Sequence, residues 1–252
     1  MSAEGLAGTN GRAVERELLL EVDGVRYAYG DLVAVWDVSL QARAGAVVAV
    51  VGRNGAGKTT LMFGLAGVLP ATAGTVRVCG EDVTRASPWR RTRAGVCLVP
   101  EGKRVFREMT VEENIGLGLP RSVRGRSRSA QVDEILERFP ILGEKRSQLA
   151  GACSGGQQQL LAIASALAMR PKVLLVDEPS SGLAPVAVEQ VLDTLEDLKR
   201  EGLAIVLVEQ RIEEVVTGIA DRVVVIEQGR VVMDDVPEHI SLRDLEQRLY
   251  VA

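Results

Sequence analysis

Three stretches of the chain combine residue types and spacings able to grip phosphates and to split a phosphoanhydride bond. Gly52 to Thr60 reads GRNGAGKTT, Ala152 to Gln159 reads ACSGGQQQ, and Val173 to Ser180 reads VLLVDEPS. The first satisfies G-x-x-x-x-G-K-[ST] with a β-branched run before it and a helical pattern after it. Gly52, Gly55 and Gly57 let the backbone come close to phosphate oxygens. The N–H groups of Arg53, Asn54, Ala56 and of the helix start at Lys58, Thr59 and Thr60 then point at them. Lys58 adds a positive charge for the β and γ phosphates, and the Thr59 hydroxyl suits Mg²⁺. In VLLVDEP two carboxylates end an apolar run: Asp177 could hold Mg²⁺ through water and Glu178 could take a proton from an attacking water. The competing reading is a surface Asp-Glu turn, which Pro179 would also suit.

Ser154 to Gln157 reads S-x-x-Q ahead of an apolar helix, the pattern of a capping box that serves only its own helix. Gly155 and Gly156, however, sit in the first turn and cost about 1 kcal/mol each relative to alanine. Such a cost makes sense where an anion must approach a helix N-terminus closely. In VRYAYG, Tyr27 and Tyr29 share a strand face; either could stack on a nucleobase or pack in the core.

These groups need a frame. LLLEV from Leu18, VRYAY from Val25 and VWDVSL from Val35 look like short strands of a leading antiparallel sheet. Val47 to Val51 (VVAVV) is a near-continuous β-branched run, expected of a parallel strand covered on both faces. Strands are also expected near Thr75 to Val78, at Val96 to Val99, Val173 to Val176 and Ala204 to Val208, with a hairpin from Val223 to Met233 turning at Gln228-Gly229. Helices are expected from Lys58, across Thr110 to Gln148, from Ser154, from Pro185 to Glu201 and from Ile212 to Ile219. Strands alternating with helices imply βαβ units and a mostly parallel sheet.

The bulk numbers exclude several classes. With 252 residues, 46% hydrophobic and 25% charged, the composition is that of an ordinary globular protein. A net charge of −4 gives no general pull toward nucleic acid. The run Arg121 to Ser129 (RSVRGRSRS) lacks interleaved aromatics and reads as a solvated loop. Cys79, Cys97 and Cys153 are widely spaced and His239 is the single histidine, so neither a disulfide framework nor a zinc site can be assembled. No apolar run reaches the ~20 residues of a membrane span, and MSAEGLAGTNGR lacks the features of a secretory signal. A membrane role would run through partners.

Taken together, the glycine loop, the Ser-Gly-Gly-Gln segment and the VLLVDEP strand resemble the ATP-binding-cassette (ABC) family, over about Leu18 to Asp235. Within it VPEGKRVF (Val99 to Phe106), MTVEEN (Met109 to Asn114), DEPSSGLAP (Asp177 to Pro185) and VEQ (Val208 to Gln210) resemble the second ATPase of branched-chain amino acid importers. The resemblance implies an α/β fold, a P-loop NTPase of ABC-ATPase type. Its mostly parallel central sheet would carry an N-terminal antiparallel β-subdomain and a helical insert at about 102–168, in one domain over 16–252 after a frayed tail at 1–15. It implies ATP and Mg²⁺ as cofactors, and Ser154, Gly155, Gly156 and Gln157 as a segment that closes a partner's nucleotide site. Tyr29 would stack on adenine. Glu101 stands where the family has a magnesium-contacting glutamine, Gln210 where it has a switch histidine, Ala184 where the following loop has aspartate, and Cys153 where it has leucine or methionine. Gln210 can hydrogen-bond a γ phosphate without carrying charge, which implies slower hydrolysis than at a partner site. Implied partners are a sister ATPase in a heterodimer, or a second copy, plus permease subunits and, indirectly, an extracytoplasmic binding protein, at the cytoplasmic face of the membrane and without nucleic acid. A urea or short-amide importer ATPase, a soluble ABC protein and a P-loop kinase are the other readings.

Overall fold

The computed structural model describes residues 16–102, 104–120, 122–210 and 212–250, so the tail expected over 1–15 lies outside them. Along the chain run β1 (Leu18–Tyr29), β2 (Leu32–Arg43), β3 (Val47–Val51), α1 (Lys58–Leu65), β4 (Ala73–Val78), β5 (Glu81–Asp82), α2 (Pro88–Ala94) and β6 (Val96–Val99). Then come α3 (Val111–Gly118), α4 (Gly125–Arg138), α5 (Pro140–Gly143), α6 (Gly155–Leu167), β7 (Val173–Asp177), α7 (Pro185–Arg200), β8 (Ala204–Val208), α8 (Ile212–Gly218), β9 (Arg222–Glu227), β10 (Arg230–Asp235) and α9 (Leu242–Tyr250).

Among the described residues one sheet has the order β2-β1-β4-β5 and is antiparallel, and a second has the order β10-β9-β3-β8-β7-β6. In the second, β9, β3, β8, β7 and β6 pair in parallel and only β10 runs antiparallel, closing the hairpin at Gln228-Gly229 with φ of 48° and 78°. Both turn residues with φ > 0 is the hairpin geometry that Gly favours.

Every residue of β3, β7 and β8 is buried. Their alternation sends Val47, Ala49 and Val51 to one face and Val48 and Val50 to the other. The first face packs on α3–α7, the second on α1 and the antiparallel sheet. Each fully buried Val, Leu or Ile contributes about 1.5–3 kcal/mol, and this two-sided burial is why the strands read as uninterrupted apolar runs.

Two expectations need correction. LLLEV and VRYAY are not separate strands: β1 runs through Asp23-Gly24, and the ladder shifts register between Val22 and Val25. Gly24 (φ 57°) lies opposite Asp37 (φ 50°), so a local irregularity absorbs residues that otherwise end strands. The Arg121–Ser129 run is not wholly a loop either, because α4 begins at Gly125. Val132, Ile135 and Leu136 anchor that helix in the core, and Arg128 donates to the carbonyl of Gly116 on α3. Tertiary contacts thus order a stretch whose composition argues for solvent. Arg121 itself lies outside the described residues.

Helix α1 is pinned at its end by Arg91 from α2, a guanidinium only 1% exposed. Its Nη1 donates to the carbonyls of Gly64 and Leu65 at 2.7 Å each, and Nη2 to that of Thr84 at 2.8 Å. A cation on the last carbonyls of a helix satisfies orphan acceptors and complements the dipole. Tyr27 packs beside Arg91 on the same turn: a Cβ on Gly64 would lie 2.2 Å from its ring. Of the two tyrosines weighed for base stacking, Tyr27 is therefore core.

Candidate functional site

The glycine loop leaves β3 and enters α1 at Gly57. Its glycines have different reasons. A Cβ on Gly52 would lie 2.3 Å from the carbonyl oxygen of Ile226, and one on Gly57 (φ 102°) 2.5 Å from that of Ala34. Both are required by the protein's own backbone behind the loop. Gly55 (φ 79°) faces open space, so its reason is conformational. Arg53, Asn54 and Gly55 are exposed, Ala56 is buried, and Thr59 and Thr60 are half-buried.

Lys58 is 4% exposed. Its Nζ donates to the carbonyls of Gly52 at 2.8 Å and Arg53 at 3.2 Å, and lies 3.9 Å from Glu178 Oε1. Burial pulls its pKa down, while the carboxylates of Glu178, Asp177 and Glu101 hold it up. Those three acids come from the ends of β7 and β6, so parallel pairing gathers them around one ammonium group.

Asp177 closes β7 fully buried, and neither carboxylate oxygen has a hydrogen bond of good geometry. Burial raises its pKa to about 6, the facing Thr59 side chain offsetting part of this and Glu178 and Glu101 adding to it. Buried polar groups are almost always satisfied, so two orphan oxygens beside a hydroxyl suit a donor or a hard cation. The residues fit Mg²⁺, which the Asp177 carboxylate and the Thr59 hydroxyl would hold.

Glu178 follows with φ 45°, left-handed backbone that a non-glycine residue adopts at a cost of about 1–3 kcal/mol. Its N–H donates to the Val208 carbonyl at 2.9 Å, and its Oε2 accepts from Gln210 Nε2 at 2.6 Å. Glu178 thus stands between Lys58 and Gln210. Glu101 is exposed and acts on this cluster through its charge. Sequence reasoning missed Glu209, which is 2% exposed and hydrogen-bonded to Ser180. The available signal was a carboxylate placed directly after five apolar strand residues.

Tyr29 ends β1 half exposed (50%) and pairs with Leu32 across the turn. Ala34, two residues beyond, backs onto Gly57, so the turn flanks the glycine loop. Ser154 to Gln157 lies elsewhere. Ser154 Oγ accepts from Gln157 N at 3.3 Å and Gln157 Oε1 from Ser154 N at 3.0 Å, the complete capping box. Gly156 also has a packing reason, since a Cβ there would lie 2.6 Å from Ala187 Cβ on α7. Helices α6 and α1 pack on opposite faces of the central sheet, so this segment and Lys58 are not brought together within the chain.

Comparison with known proteins agrees with this fold. The model of the ABC transporter family matches residues 35–181. The high-affinity branched-chain amino acid transport ATP-binding protein BraG of Pseudomonas aeruginosa is 43% identical over 217 residues, 86% of this chain and 92% of that protein. The lipopolysaccharide export system ATP-binding protein LptB of Escherichia coli is 29% identical, over 89% and 93% respectively. Two solved ATP-binding cassettes of ABC transporters superpose with TM-scores of 0.81 and 0.78 at 26% and 27% identity; they cover 92% and 87% of this chain, and the match spans 97% and 91% of theirs. The chain belongs to the ABC transporter family, as an ATP-binding and ATP-hydrolysing subunit that works with membrane permease components.

Proposed function

We propose that this subunit energises import of branched-chain or other hydrophobic amino acids, with Glu178 as the base that activates water and Gln210 as the switch that orients it. The observation that carries the chemistry is the meeting of Lys58, Asp177, Glu178 and Gln210 at the ends of β3, β7 and β8. Lys58 and the loop N–H groups hold the β and γ phosphates. Asp177 and Thr59 would hold Mg²⁺, which would supply charge neutralisation for the transferred phosphoryl group. Glu178 accepts the proton of the attacking water. Gln210 donates without carrying charge, so it positions rather than neutralises. Tyr29 stacks on adenine.

Ser154 to Gln157 completes a neighbour's site rather than its own, in a head-to-tail pair with a sister ATPase or a second copy. What supports this is the placement of α6 and α1 on opposite sheet faces. The permease docks at a groove of about 330 Å³ lined by Pro88, Leu98 and the exposed Val68, Phe106, Leu117 and Met169. Apolar side chains gathered around a concave surface mark a contact site. The groove opens between α2 and the helices at about 102–168, taken here as an insert within one cassette domain over 16–252. By its likeness to transporter ATP-binding subunits the subunit acts from the cytoplasmic face, served by an extracytoplasmic binding protein; no helix among the described residues is long and apolar enough to cross a membrane. Amino-acid transport is preferred to lipopolysaccharide export because BraG shares more identity with the chain than LptB does.

Reconstituted vesicles holding this subunit, its partner ATPase and their permease test the reading. ATP-driven leucine uptake exceeding urea uptake supports it; urea accumulation without leucine points to the short-amide relative. Crosslinking of Glu178→Gln chains under saturating MgATP should capture a paired species, and its absence would remove the interchain site.

A further inference from the structure

Glu209 is 2% exposed, although glutamate is rarely fully buried, and among the described residues no lysine or arginine forms an ion pair with it. Three donors replace a cation. Oε1 accepts from the Ser180 N–H at 2.9 Å; Oε2 accepts from the Ser180 hydroxyl at 2.7 Å and from the Gln210 N–H at 3.2 Å. Burial pushes its pKa up and these hydrogen bonds hold it back. Ser180 lies two residues beyond Glu178, and Gln210 returns its side-chain amide to Glu178 at 2.6 Å. The bonds form a closed circuit from Glu178 along the chain to Ser180, across to Glu209, on to Gln210 and back. An ionised carboxylate is acceptor-only, so it can serve all three N–H and O–H groups, whereas an amide would turn a donor toward at least one of them.

Such a circuit over-determines the Glu178 backbone, whose φ of 45° needs holding in place. We propose that Glu209 is a positioning residue for hydrolysis: it clamps the loop after β7 to the loop after β8 and thereby fixes the Gln210 side chain against Glu178. Displacement of the loop from Ser180 to Ala184 is then felt at the switch. The inference rests on the reading of Glu178 and Gln210 given above.

The test is ATPase turnover of the assembled transporter, comparing the parent with Glu209→Gln, Ser180→Ala, Gln210→Ala and the double variants of Gln210→Ala with each of the first two. Glu209→Gln should lower kcat about 10-fold or more with KM for MgATP within about threefold, the mark of an interaction that matters after binding. Added to Gln210→Ala it should cost less than about twofold more, because residues acting through one route are not additive. A parental kcat in Glu209→Gln, or losses that multiply in the double variant, overturns the proposal, since a merely structural role would add independently. Parental turnover in Gln210→Ala would instead sink the reading of Gln210, and the inference with it. Should Glu209→Gln fail to assemble, Ser180→Ala alone and with Gln210→Ala is judged by the same two criteria.

Discussion

Helices α3 and α6 begin with the same device. Thr110 and Glu113 form a reciprocal capping box on α3, as Ser154 and Gln157 do on α6. Between the box residues α3 has Val111 and Glu112, whereas α6 has Gly155 and Gly156. Acids in a first turn complement the helix dipole, so α3 is built for its own stability. The α6 start forgoes both side chains and acids, and pays about 1 kcal/mol per glycine. Packing against Ala187 accounts for Gly156 alone. Under the proposed pairing the contrast teaches that a cap and an anion seat are compatible, and that the residues between the box members, not the box itself, would tell them apart.

Four measurements would break or sharpen that contrast. Gly155→Glu gives the first turn of α6 an acid, as α3 has; helix stability should hold or improve, while turnover of the assembled transporter falls on the order of 100-fold, as when a transition-state donor is lost. Unchanged turnover would reduce the segment to a cap.

Asp177 supplies the opposite case, a group with no cap at all. Its pKa is raised to about 6, so the folded state holds the proton more tightly than the unfolded one. Stability therefore falls as pH climbs from about 4 to about 6, and the cost is fully present above that window. Asp177→Asn should abolish Mg²⁺-dependent hydrolysis yet raise nucleotide-free stability at pH 7.5 by roughly 2–3 kcal/mol, with the gain vanishing near pH 4. Denaturation of the pair across pH 4–8 reads the difference, and a constant offset would refute it.

Ser154→Ala and Thr110→Ala should each cost about 1 kcal/mol, or roughly 2–4 °C in melting temperature, as lost N-caps do. Only Ser154→Ala should also lower turnover. The smallest effect belongs to Tyr29→Ala, where a half-exposed ring should change KM for ATP by a few-fold, consistent with about 1 kcal/mol of stacking.

The glycine loop, the parallel strands and the β9–β10 hairpin were legible because β-branched runs and turn residues answer to local rules. Position 37 was not, since left-handed backbone at an aspartate is imposed by the facing strand. The first half of α4 escaped for a similar reason: nothing in GRSRS points to a helix until Val132 and Ile135 find the core. Arg91 is one of three arginines in PWRRTRA, and only packing shows which of them is buried. The acids of the site were legible in kind from the motif spacing. Their electrostatic environment was not, because the orphaned oxygens of Asp177 and the ring through Glu209 depend on which strand ends the sheet order brings side by side.

The central sheet keeps Lys58 and Gly155 on different sides of one molecule, so where two copies of this chain pair head to tail, damage at each has a different owner. A copy ruined at Lys58 loses its own pocket but still completes its neighbour's; a copy ruined at Gly155 does the reverse. Mixing two kinds of dead chain would therefore restore one sound pocket in each mixed pair, and ATP would be turned over by an assembly in which neither member works with its own kind.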